Sequence, residues 1–142
     1  MSFKRANVFT VRPEDVDAVR PWLEPFLREF ERKTCLVTPE DVIHQAKSRD
    51  CQLWSYHDGE RFRGVVATRI HQTALGDLCS LWVCIGLDAI ELMEGMHAEI
   101  ENWARAIGCY AIEIVGREGW QKKLPGYTRK AIVLEKLIKE RH

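Results

Sequence analysis

This chain of 142 residues has no long apolar run, no excess of either charge, no low-complexity tract and no internal repeat. Each absence removes a class of function. No window approaches the ~20 apolar residues that cross a bilayer, and the amino terminus, Met-Ser-Phe-Lys-Arg-Ala-Asn, has no apolar signal core. A cytoplasmic protein without membrane attachment is expected. Lys plus Arg and Asp plus Glu each total 21, so no global basic surplus points to nucleic acid, which is not an expected partner. Cysteines stand at 35, 51, 79, 84 and 109, with no Cys-x-x-Cys pair and no Cys/His ligand spacing. They read as free, mostly buried thiols, and no metal site is expected. Cys35 and Cys51 lie nearest element ends and are expected to be the most reactive. Without a linker or repeat, residues 1–142 are expected to form a single domain.

What is present is clear periodicity. Asn7 to Arg12 alternates as a short strand. Pro13-Glu-Asp15 opens a helix with acids in its first turn. Val16, Val19, Leu23, Phe26, Leu27 and Phe30 continue it as one apolar stripe to about Arg32, with a break expected at Pro21. Thr38-Pro-Glu-Asp41 is a capping signal for a helix to about Lys47. The period then changes to two. Strands are expected over Cys51–Tyr56, Arg63–Ile70 and Asp77–Ile85, the first two joined by His57-Asp-Gly-Glu60. A helix over 88–107 stops at Gly108, followed by a strand over Tyr110–Val115. A short helix over Glu118–Lys123 and a last strand over Tyr127–Leu137 complete the order β-α-α-β-β-β-α-β-α-β. That order implies an α/β domain with a mixed, mostly antiparallel sheet and helices on both faces.

Several local sequences carry a resemblance on top of this order: Val11-Arg-Pro-Glu-Asp15, Asp58-Gly-Glu60 before Gly64-Val-Val66, Ile100 to Cys109 before Ile112-Glu-Ile114, and Leu124-Pro-Gly-Tyr127 before Val133-Leu-Glu-Lys-Leu137. Together they resemble the general N-acetyltransferase (GNAT) superfamily over nearly the whole chain. The ending Gly116-Arg-Glu-Gly-Trp120 with Pro125-Gly-Tyr127 also resembles small phage-encoded GNAT-like proteins, which brings a virion context.

The resemblance implies an acyl-coenzyme A pyrophosphate loop at the start of the long helix, written Arg/Gln-x-x-Gly-x-Gly/Ala. Backbone N–H groups must face the anion there, and glycines let it approach. Counted back from Trp103, that loop falls on Asp88-Ala-Ile-Glu-Leu-Met93, so the motif is degenerate at Asp88, Glu91 and Met93. From Ile70 to Ala104 there is no Lys or Arg, while Asp77, Asp88, Glu91, Glu94, Glu99 and Glu101 are acidic. The family's general-acid tyrosine falls on Lys122. Its general base is a glutamate of the central strands or a bound water, a role open to Glu113 by residue type.

Other residues invite blander readings. Glu94, His97 and Glu101 share a helix face, yet one Glu-x-x-His without a second copy reads as solvated surface. His44, His57 and His71 have no evident partners. Trp22, Trp54, Trp82 and Trp103 read as core, whereas Trp120, in a polar segment, reads as an anchor for a partner. From Arg117 onward basic residues outnumber acids, a face that could orient docking.

The expectation is therefore a non-catalytic GNAT-fold structural or interaction protein, in its most specific form a phage virion or assembly component, with no catalytic residue and no cofactor. Its partners would be other proteins, virion components or a second copy, met through Trp120, Lys122, Lys123, Glu91 and Glu94. If phage-encoded, it would reside in the virion. The alternative is an acyl-CoA-dependent N-acetyltransferase with an atypical loop, using acetyl-CoA.

Overall fold

A computed structural model describes residues 7–59, 61–86, 89–114, 126–128 and 136–139, with the backbone alone for Asn7 and 89–95. The chain opens with strand β1 (Asn7–Val11), a 3-10 turn over Pro13–Asp15 and helix α1 (Val16–Thr34). Helix α2 (Pro39–Lys47) follows, then strands β2 (Gln52–Asp58), β3 (Arg61–Thr73) and β4 (Gly76–Gly86). Helix α3 (Ala89–Ala106) leads into strand β5 (Cys109–Ile114). Among the described residues no helix is long and apolar enough to cross a membrane. The short helix expected over 118–123 and most of the strand expected over 127–137 lie outside the described residues.

The five strands lie in the order β1-β2-β3-β4-β5. The first three pairings are antiparallel, and β4–β5 is parallel, as a strand–helix–strand crossover requires. Two apolar clusters fill the two faces. Leu23 and Leu27 of α1 and Val42, Ile43 and Ala46 of α2 pack with Leu53, Val65, Ala67, Val83 and Ile85. Met96, Ile100 and Ala104 of α3 pack with Trp54, Tyr56, Val66, Cys79 and Leu81. The fold is thus the mixed α/β sheet with helices on both faces that the element order implied.

Local chemistry explains most boundaries. Thr38 Oγ1 accepts the Asp41 N–H at 3.1 Å, and Asp41 Oδ2 accepts the Thr38 N–H at 3.1 Å. This closed capping box starts α2 where the sequence placed it. Thr38→Ala is expected to lower stability by about 1 kcal/mol, read as a melting temperature lower by about 4 °C.

Two expectations need correction. The break at Pro21 is absent: α1 runs unbroken through Pro21 and Pro25. Both prolines are exposed, so the carbonyls they leave unbonded lie toward water, while Val16, Leu23 and Leu27 hold the opposite side against the core. Trp22 is not core either. It lies on that outer side, 56% exposed.

Candidate functional site

The side-chain pattern of β4 locates an irregularity. Cys79, Leu81, Val83 and Ile85 are two apart, so a regular strand would put all four on one face. Instead Cys79 and Leu81 join the cluster under α3, and Val83 and Ile85 join the cluster under α1 and α2. The register explains it: Ala67 pairs with Val83 and the next residue, Thr68, with Leu81, which leaves Trp82 as an extra residue in β4. A bulge of this kind bends its strand and re-aims the side chains beyond it.

The parallel ladder reaches the same place. β5 pairs with β4 from Asp77 to Leu81, whereas β4 continues to Gly86 against β3. Among the described residues, the run Trp82–Gly86 therefore has no ladder partner on its β5 side. The chain then enters α3 at Ala89, where the first-turn N–H groups have no partner inside the helix. The carboxyl end of a parallel pair and a helix N-terminus thus converge, and open α/β sheets place their ligands at such a point.

Beside the bulge, a polar row crosses three strands on the face under α1 and α2. Arg69 of β3 pairs in register with Ser80 of β4, and Ser80 with Glu113 of β5. Ser80 is buried, and its hydroxyl donates to Glu113 Oε1 at 3.3 Å. Glu113 is exposed and Arg69 half-buried. The Arg69 guanidinium lies 4.1 Å from the centre of the Trp82 ring. Its buried Nε has no hydrogen-bond partner. Among the described residues neither Arg69 nor Glu113 has an ion-pair partner.

The opposite face is closed by pairing. The Trp54 indole N–H donates to Thr68 Oγ1 at 3.1 Å, and Thr68 donates to Gln52 at 3.0 Å. Trp54 meets Trp103 edge to face at 5.3 Å between ring centres. His97 finds a partner in Tyr127, whose hydroxyl lies 2.6 Å from Nε2. Burial, helped by Glu101 and Cys79, pushes the Tyr127 phenol up to about 12. On the α1 face His57 is not solitary: its Nε2 lies 3.0 Å from the Ser55 hydroxyl, and burial holds the imidazole below its usual range.

All five cysteines are free, and Cys35 is exposed. Cys51 corrects the expectation of reactivity. It is buried, its thiol donates to the Val42 carbonyl at 3.8 Å, and burial raises it to about 11. A thiol held protonated in apolar surroundings is a poor nucleophile.

The residues expected to mark the site are placed only in part. Glu91, Met93 and Glu94 fall in the first turns of α3, where the backbone alone is described. Asp88, Trp120, Lys122 and Lys123 lie outside the described residues. Arg69 and Ser80 were not singled out from the sequence, although Arg69 is a lone cation ending the run Val65-Val-Ala-Thr-Arg69, a signal that was available.

No family model and no curated protein sequence matches the chain. Solved structures do. An aminoglycoside acetyltransferase from an uncultured soil metagenomic sample superposes with a TM-score of 0.71 at 7% identity, covering 95% of this chain and 97% of that one. A predicted acetyltransferase from Clostridium acetobutylicum, solved with acetyl-CoA, gives 0.68 at 10% identity over 93% and 96%. A GNAT family acetyltransferase from Staphylococcus aureus gives 0.67 at 10% identity over 94% and 99%. The chain has the GNAT fold. The phage context suggested by its ending has no counterpart among these neighbours.

Proposed function

We propose that this chain is an acyl-CoA-dependent N-acyltransferase acting on an amine. The observation that supports it most is the Trp82 bulge at the carboxyl end of the parallel β4–β5 pair, on a fold shared with acetyltransferases. This favours the catalytic alternative over the non-catalytic module that the acidic loop first suggested.

The residues present fit the cofactor through backbone. Among the described residues Trp82–Gly86 has no ladder partner on its β5 side, so its N–H and C=O groups suit an extended arm rich in amides, as strand edges do. The first turn of α3 offers N–H groups to the diphosphate. Side-chain charge opposes that last contact, because no Lys or Arg occurs from Ile70 to Ala104. Acetyl-CoA supplies an acyl group on a thioester: the new N–C bond forms, the C–S bond breaks and CoA leaves as its thiol. The protein's own contribution is proton handling. Glu113, exposed on β5 opposite Ser80, takes the proton of the acceptor ammonium, which frees the nitrogen lone pair. Ser80, donating to Glu113 Oε1, fixes that carboxylate.

A second reading keeps the fold and drops the chemistry, with Glu91, Glu94, Trp120, Lys122 and Lys123 meeting a protein partner. The acidic stretch supports it. Thermal denaturation with acetyl-CoA separates the two. Ligand at ~100 times its dissociation constant should stabilise the catalytic form by about 2.7 kcal/mol, a saturable rise of several degrees. No shift, with no heat on calorimetric titration, would leave the interaction reading standing.

A further inference from the structure

The row Arg69–Ser80–Glu113 places opposite charges on either side of β4. In register, Arg69 and Glu113 are each one strand from Ser80, so their backbones stand roughly 9–10 Å apart at ~4.8 Å per strand. They do not neutralise one another, and among the described residues neither has another ion-pair partner. A half-buried guanidinium with an orphaned Nε loses water contacts that nothing in the described protein replaces. Its stacking on Trp82 fixes the plane, and among the described residues its two terminal Nη groups have no partner, so they are left to take a carboxylate end on.

We propose that the acceptor amine also carries a carboxylate, which Arg69 binds while Glu113 faces the ammonium. This rests on the N-acyltransferase reading and narrows its substrate to an amino-acid-like zwitterion. Trp82, the extra residue of the bulge, then serves twice: it re-aims the side chains of β4 and holds the guanidinium that orients the acceptor. A polycation without a carboxylate would leave Arg69 unpaired and place like charges together.

The test is calorimetric binding without acyl-CoA, using the proteinogenic α-amino acids, each beside its α-carboxamide. Wild-type protein should bind at least one acid about 10- to 100-fold more tightly than its amide, the size of a charged hydrogen-bond pair. Arg69→Gln should remove that difference without weakening the amide, and Arg69→Lys should keep part of it. Equal binding of acid and amide, or binding of no amino acid, overturns the proposal. Should Arg69→Gln fail to fold, the wild-type comparison still decides. Carboxylate-dependent binding without acetyl transfer would sink the enzyme reading and leave Arg69 its ligand. Acetylation of amines indifferent to the carboxylate would do the reverse.

Discussion

Glu113→Gln is expected to lower kcat for acetyl transfer by about 10²- to 10⁴-fold, the usual contribution of a positioned general base. The expectation follows from where the fold puts this side chain. Glu113 lies on β5 opposite Ser80, one pairing before Leu81–Ile114 and beside the Trp82 bulge, and it is exposed. An amine binding there arrives as an ammonium and cannot attack until it loses a proton. The amide of glutamine keeps the shape and the contact from Ser80 but takes no proton. Because the side chain is exposed, folding stability should change by no more than about 0.5 kcal/mol, and the thermal shift with acetyl-CoA should persist. Glu113→Asp should recover part of the rate. A fall in kcat smaller than about tenfold would remove Glu113 from the chemistry and leave solvent as the base.

The pieces of this site were legible in the sequence to different degrees, and the differences have physical causes. Features fixed by neighbouring residues could be read directly. The Thr38 capping box is one, and the stop at Gly108, with φ of +93°, is another. The bulge was hidden. Leu78-Cys-Ser-Leu-Trp-Val-Cys-Ile85 is nearly all apolar because both faces of β4 are covered, so a change of parity leaves no alternation to betray it. The polar row was hidden for a related reason: Arg69, Ser80 and Glu113 meet only once two registers are known. Trp22 and Pro21 misled because residue type speaks for burial and breaking only on average. On an outward helix face, water can solvate both the indole and the unbonded carbonyls.

Stability should fall steeply between pH 9 and 11, and the buried thiols are the cause. Cys51 and Cys79 are 4% and 0% exposed. Burial raises them from 9.0 to about 11 and about 12, with Cys109 adding to the rise at Cys79. Below pH 9 the folded and unfolded chains both keep these protons, so the full stability is present. Above it the unfolded chain releases them while the folded chain holds them, and unfolding becomes easier with each added unit of pH. One group contributes at most about 1.4 kcal/mol per pH unit, so two thiols bring the loss over pH 9–11 to the order of 5 kcal/mol. Tyr127, raised from 10.0 to about 12, steepens the upper part of that range. Urea midpoints measured from pH 8 to 11 should trace the fall, and the double variant Cys51→Ala, Cys79→Ala should make it shallower, leaving the part due to Cys84, also raised by burial to about 12, and Tyr127, while lowering the stability at pH 8 through the lost packing. A midpoint indifferent to pH over that range would mean the thiols are not shut away between sheet and helices. The two clusters that position the bulge would then be looser than their packing indicates.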